Sequence, residues 1–363
     1  MAKQKVSSKK KKKRSTHKSA KIFKHKKTIL SLLCIFIFLV FLFPIYISLS
    51  PAVHTKTILY IPTKATYTQV CDSLEQKKSV RMFPFKMIAK LKSYSSQIKP
   101  GHYIFERGSS ALTIVNRLRS GSQDPIKLTF NRVRTIEELS VKLASQIEAD
   151  SLSISTLLHD DVYLYPLTIE EVNLTPENVL ACFVPNTYYV FWNLSAEDLL
   201  KRMYKEQDKF WTTTRKEKAK KMGLNRIQVM TMASIVEQET EDKKEKADIA
   251  SVYLNRLRKG MLLQADPTVK FAIGDFGLKR ILQVHLQSNS PFNTYKYKGL
   301  PPGPICTPSS YSIDAVLQNK QTPYFYFCAK EDFSGTHAFA ATYAQHQANA
   351  KAYHRALDQK AIK

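Results

Sequence analysis

No acidic residue occurs in the first 27 positions of this sequence, which hold thirteen lysines and arginines, including the run Lys9 to Arg14. Half of the formal charge of +26 is therefore confined to a short tail, which excludes a uniformly basic domain. Cysteine is sparse: Cys34, Cys71, Cys182, Cys306 and Cys328 are spread over 363 residues. Their wide spacing fits neither a zinc-ligand pattern nor a disulfide framework, so they read as buried free thiols with no pair assigned. No metal and no cofactor is expected. Glycine and proline are few, 10 and 16 residues, which excludes a low-complexity chain. No internal repeat is visible. Nothing beyond the tail interleaves basic and aromatic residues in a recognised module, so nucleic acid is excluded as a partner.

Charge is also missing from "TILSLLCIFIFLVFLFPIYIS", residues 28–48. Roughly 20 apolar residues span a bilayer core, and the run is longer than the 7 to 15 residues usual for a signal peptide. The reading is an uncleaved membrane helix, with the basic tail over 1–27 held in the cytoplasm and the rest outside it. Lysine-rich tails of this kind also meet anionic lipid.

Two folded units follow. In the first, "TKTILYIP" reads as a strand, with amphipathic helices from about Thr66 and over "MFPFKMIAKLKSYSS". After the Pro100-Gly101 turn come a strand and a helix ending near Gly121. "SGSQDP" marks the boundary. The second unit opens with the strand "IKLTF" and a helix capped by Thr135. It continues through "CFVPNTYYVFW", a helix capped by Ser195, the segment "MASIVEQETEDKK", the helix "KADIASVYLNRLRKG", a strand pair turning at Gly335 and a last helix over about 342–357. The fold class is α+β.

"MASIVEQETEDKK" carries two acids, Glu237 and Glu239. Residues two apart on a helix face different ways. Val229, Met232, Ile235 and Val236 form a stripe, with Glu239 within about 40° of its centre and Glu237 more than about 100° away. Glu239 therefore continues the buried face, as a general acid would, because burial raises a carboxyl pKa toward neutrality. Glu237, beside "EDKKEK", reads as an acid that reaches water and is the backup assignment. Downstream, Gln264, Asp266 and Thr268 in "LLQADPTVK" join Asn293, Thr294, Tyr295, Leu300 and Pro301 in "SPFNTYKYKGLPPGPICTP". Amides, hydroxyls and an aromatic ring on proline-held loops suit a sugar cleft.

These blocks, "MASIVEQET", "ASVYLNRLRKGMLLQADPTVKFA", "NSPFNTYKYKGLPPGPICTP" and "PYFYFCAK...GTHAFA", resemble the signatures of the MltG/YceG-like endolytic murein transglycosylases over about residues 126–353. The chain departs from the family pattern at Asn186, where an acid is usual, and in "FNRVRT", which replaces a Glu-Gly turn. The resemblance implies a single-pass inner-membrane protein with a small LysM-like domain, here 52–124, and a catalytic domain, here 125–357, outside the cytoplasm. It implies cleavage of nascent peptidoglycan glycan strands within the chain to leave 1,6-anhydro-N-acetylmuramic acid ends. It also implies proximity to peptidoglycan synthases and the division machinery. The family's catalytic glutamate falls in the block matched by 234–240, and the likeness of "IVEQET" to the Glu-Ser helix end of lysozyme-like transglycosylases selects Glu239. The non-enzymatic alternative is a membrane-anchored wall-binding or divisome scaffold with an inactive cleft.

Overall fold

The structure, a computed structural model, describes residue 24 and residues 26–360. The expected basic tail falls, apart from residues 24, 26 and 27, outside them. Residues Lys26–Leu49 form a helix whose most apolar 18-residue stretch has mean hydropathy 2.9 and no buried residue, and among the described residues only this helix is long and apolar enough to cross a membrane. Its middle, Phe38–Leu42, widens into a π-helical turn, with Phe43 N–H donating to Phe38 O. Pro44 follows immediately, and a proline ring crowds the carbonyl four residues back.

The remainder mixes helices with short antiparallel strand pairs and divides into two compact units, Met1–Asp124 and Pro125–Lys363. In the first, strand β1 (Thr57–Ile61) pairs with β2 (Gly101–Phe105), Leu59 opposite Tyr103. Helices α1 (Tyr67–Gln76), α2 (Met82–Leu91) and α3 (Ala111–Ser120) supply the rest. Alternate β1 residues point inward, as a period of two requires, and meet Leu74, Phe85, Tyr94 and Ile114 in one apolar core. Arg117 ties the end of this unit together, donating to Ile104 O at 2.7 Å and to Asp124 Oδ2 at 2.8 Å.

In the second unit β3 (Ile126–Phe130) pairs with β6 (Asn186–Val190), and the two-residue strands β4 (Thr168–Ile169) and β5 (Val172–Asn173) make a small hairpin. Helices α4 (Ile136–Ala144), α5 (Ser151–Leu158) and α6 (Ala196–Phe210) share one apolar core with α8 (Arg226–Glu239), and α7 (Thr213–Lys221), α9 (Lys246–Arg258), α10 (Asp266–Ile273) and α11 (Ser310–Gln318) pack directly on α8. A final hairpin of β7 (Tyr326–Ala329) and β8 (His337–Ala340) precedes α12 (Tyr343–Gln359).

Helix α8 organises this unit. Asn225 and Gln228 exchange side-chain and backbone hydrogen bonds at its start, a capping box that satisfies two otherwise unpaired N–H groups. From Val229 to Glu237 every residue is buried. A helix buried all round needs no single apolar stripe, which is why Ile227 and Met230 lie off the stripe that the sequence suggests. Helices α5 and α7 and the β4–β5 hairpin have no counterpart in the sequence expectation, and two further elements differ from it near the glutamates. Asp266 and Thr268 stand on a helix, α10, with Pro267 in its first turn where no N–H is lost to the helix. Helix α11, which the proline-rich context conceals, packs against α8 and α9.

Candidate active site

Glu239 is the last residue of α8, and Thr240, in extended conformation, turns the chain away. Its side chain is half-buried. From α9 the buried Tyr253 donates its phenol to Glu239 Oε1. Burial pushes the Glu239 carboxyl up to about 7 from an ordinary 4.5; the Tyr253 hydrogen bond opposes this, Asp266 adds to it, and Lys270 and Arg256 oppose it. Oε2 has no protein hydrogen bond among the described residues. Tyr253 itself is driven well above its usual range by burial and by the adjacent carboxylate, so it stays a hydrogen-bond donor. Its ring is fixed edge-on against Phe327 at 5.8 Å.

The same face of α9 carries Arg256, whose Nε donates to Phe325 O and whose Nη1 donates to Leu263 O, both at 2.7 Å. This clasp joins the β7 approach to the loop before α10. Gln264, exposed, takes the left-handed conformation with φ 51° and donates its N–H to Thr294 O at 3.1 Å. Asp266, also exposed, accepts from Tyr295 Oη at 2.6 Å, and Tyr295 is half-buried. Asp266 and Tyr295 are near enough to Glu239 for their charges to act on one another, Gln264 Oε1 accepts from Arg256 Nη1 at 3.4 Å, and Leu300 is half-buried.

Three other residues expected to contact sugar turn inward. Thr268 and Thr294 are buried, bonded to each other at 2.8 Å and to the backbone of Ala265. Asn293 is buried and donates to Leu286 O and Ser288 O, both at 2.9 Å. Their polar atoms are used in shaping the loops. Pro301 is buried as well. Two residues on, Gly303 runs so close to the 177–178 backbone that a Cβ there would sit 1.9 Å from Glu177 O; only glycine fits.

Glu237 does not reach water, contrary to the sequence expectation. It is 7% exposed, and its Oε2 accepts from Lys246 Nζ at 2.8 Å, from Ser309 Oγ at 2.6 Å and from Ser312 Oγ. Burial alone would drive this carboxyl up, but these hydrogen bonds and the Lys246 charge outweigh it and hold the group below its ordinary value. The reason for the difference is tertiary: Lys246 comes from α9 and the serines from α11. Glu237 is a tie between three helices with its carboxyl held below the ordinary range, whereas Glu239 is a carboxyl held near neutrality.

Lys246, Tyr253 and Arg256 were not among the residues expected at the site. Their signal was spacing: Lys246, Ile249, Tyr253 and Arg256 repeat at three and four residues, placing two cations and a phenol on one otherwise apolar helix face. Such groups are buried only when partnered.

A sequence profile of the YceG-like family matches residues 59–352. An endolytic murein transglycosylase of Bacillus subtilis is 29% identical over 304 residues, covering 80% of this chain and 83% of that protein. A Streptococcus pneumoniae protein of the same name is 26% identical over 300 residues, which span 74% of this chain but only 53% of the pneumococcal one. A YceG-like protein of Listeria monocytogenes, known from a crystal structure, aligns with a TM-score of 0.54 at 27% identity, over 81% of this chain and 98% of that one.

Proposed function

The chain belongs to the YceG-like family, and from that premise we propose that it is an endolytic peptidoglycan lytic transglycosylase with Glu239 as its single acid–base group. The observation that carries the reading is one carboxyl pushed up to about 7, with Oε1 held by Tyr253 and Oε2 without a hydrogen-bond partner among the described residues. A catalytic pKa near the working pH maximises both the protonated fraction and the drive to transfer the proton.

In the first step the Glu239 proton passes to the glycosidic oxygen between N-acetylmuramic acid and N-acetylglucosamine. The C–O bond breaks and an oxocarbenium-like centre develops at the muramoyl anomeric carbon. The resulting carboxylate, steadied by Tyr253, then takes the proton from the muramoyl 6-hydroxyl as that oxygen bonds to the anomeric carbon. The 1,6-anhydro ring closes and Glu239 is protonated again. Water takes no part. Asp266, oriented by Tyr295, faces the developing positive charge, and Gln264 offers an amide to the sugar.

A hydrolase would instead use a second carboxylate to activate water or attack the sugar, and the exposed Asp266 supports that as the second reading. Products decide between them. Purified chain incubated with long glycan strands should release internal fragments ending in the anhydro sugar; reducing ends would favour hydrolysis, and no fragments at all would favour the scaffold. The Lys26–Leu49 helix would anchor the chain with the basic tail in the cytoplasm, and the first unit, LysM-like by its resemblance, would bind or orient the glycan. Peptidoglycan synthases and division proteins would be its neighbours in the membrane.

A further inference from the structure

Beside Glu239 lies a polar cavity of about 160 Å³ lined by Arg134, Gln238, Pro267, Lys270, Phe276 and Ile305. Most cations of this unit's interior are neutralised: Lys246 by Glu237, Arg132 by Glu241, Arg226 by Glu170 and Asp208, Arg215 by Asp314. Arg134 and Lys270 are half-buried, and among the described residues neither forms an ion pair. Glu138, the acid nearest to Arg134 on its own segment to bond it, takes only its backbone N–H. The Arg134 guanidinium lies over the Phe276 ring at 5.1 Å and spends Nε on Gln238 Oε1 at 3.4 Å, so both Nη groups remain. Gln238 Nε2 is shielded from solvent beside the Cys306 thiol, so it is not offered to the cavity.

We infer that this cavity is a carboxylate-binding subsite that selects glycan strands by the acidic side arm of the muramoyl residue being cleaved. The inference rests on the proposed transglycosylase reading. Two unneutralised cations lining one cavity match an oxyanion, and a planar guanidinium matches a carboxylate in particular. The cavity has room for a carboxylate and its adjoining carbons. The sugar rings of the strand are neutral; its acidity resides in the lactyl group of muramic acid or in the peptide attached there. Gln238 is adjacent in sequence to Glu239, and Lys270 is close enough to influence its charge. An anion bound here is thus presented next to the scissile bond.

The test compares kcat/KM of the full-length chain in detergent micelles on three strands: stem peptides with free carboxylates, the same peptides amidated, and peptide-free strands exposing the lactyl carboxylate. Wild type should prefer a free-carboxylate substrate over the amidated one by about 10-fold, the scale of a charge-assisted hydrogen bond. Arg134→Gln should erase that preference through KM, Lys270→Gln should weaken it, and Arg134→Lys, which keeps charge but loses the fork, should restore part. An Arg134-dependent preference for peptide strands identifies the peptide carboxylate as the ligand; one confined to peptide-free strands identifies the lactyl group. Equal wild-type rates on all three, or variants that slow all three by the same factor, would overturn the inference. Glu239→Gln run alongside keeps the two readings apart, because its full activity would sink the catalytic assignment whatever the cavity binds.

Discussion

Replacing Glu239 by glutamine should abolish chemistry while making the protein more stable, and the gain should depend on pH. In the unfolded chain the carboxyl ionises near 4.5, in the folded chain near 7. Between these values the folded state holds a proton that the unfolded state has released, so native stability falls as pH rises through that window. At 1.36 kcal/mol per pH unit the ionised form is about 3 kcal/mol worse off in the folded chain. Partial solvent access to a half-buried side chain reduces this to about 2 kcal/mol. Glutamine keeps the shape and the Tyr253 hydrogen bond but never ionises. For a unit of this size, Tm should rise by about 4–8 °C at pH 8 and hardly at all at pH 4. Thermal melts followed by circular dichroism at both pH values check this, with anhydro-muropeptide release measured on the same samples. Release should fall at least about 10²-fold, the lower end of what a general acid–base group contributes. A Tm difference independent of pH, or near-normal release, would refute the assignment of a raised carboxyl to this position.

The other acid should behave in the opposite way: Glu237→Gln leaves Lys246 buried without its counter-ion and should lower stability by about 3 kcal/mol, read by denaturant titration, with activity of the folded fraction within about tenfold of wild type. Because the Glu237 carboxyl lies below its ordinary value, its stabilising contribution is present above about pH 4.5 and is lost as pH falls through the folded value. Tyr253→Phe removes the hydrogen bond that holds the Glu239 pKa down, so the alkaline limb of the kcat/KM profile, set near pH 7, should move upward by about one pH unit. Gly303→Ala drives a methyl group into Glu177 O and should lower Tm and loosen the 300–308 loop; calorimetry showing an unchanged Tm would contradict the close approach. A periplasm-active or surface-active reporter fused after Lys363 should be functional, and activity only in the cytoplasm would reverse the proposed orientation.

Some elements with side-chain caps were legible from the chain alone, whereas α5, α7 and α11, capped by Asp150, Thr212 and Ser309, were not. Thr66, Thr135, Ser195 and Thr342 each accept the N–H three residues on and start a helix where the sequence places one. The divergence of Glu237 and Glu239 was legible too, since it follows from helical geometry alone. What each acid meets was not. The Ser312 partner of Glu237 and the Asp266–Tyr295 bond are contacts between segments far apart in sequence, and the Lys246 pair, nine residues apart, spans the turn between two helices; no local pattern specifies them. The loop threonines misled for a related reason: a hydroxyl offered to a ligand and one offered to a neighbouring carbonyl look alike until burial is known. Pro267 hid α10 because proline signals a turn as readily as a helix start.

The Arg256 clasp has a consequence for the timing of synthesis. Its two carbonyl acceptors, Leu263 O and Phe325 O, lie on segments made well after Glu239 itself. Until the stretch around Phe325 has emerged and docked, α9 lacks a seat for its buried charge and Tyr253 lacks the Phe327 ring that fixes it. A chain that has made only the glutamate helix and α9 therefore carries Glu239 before its hydrogen-bond partner is held in place.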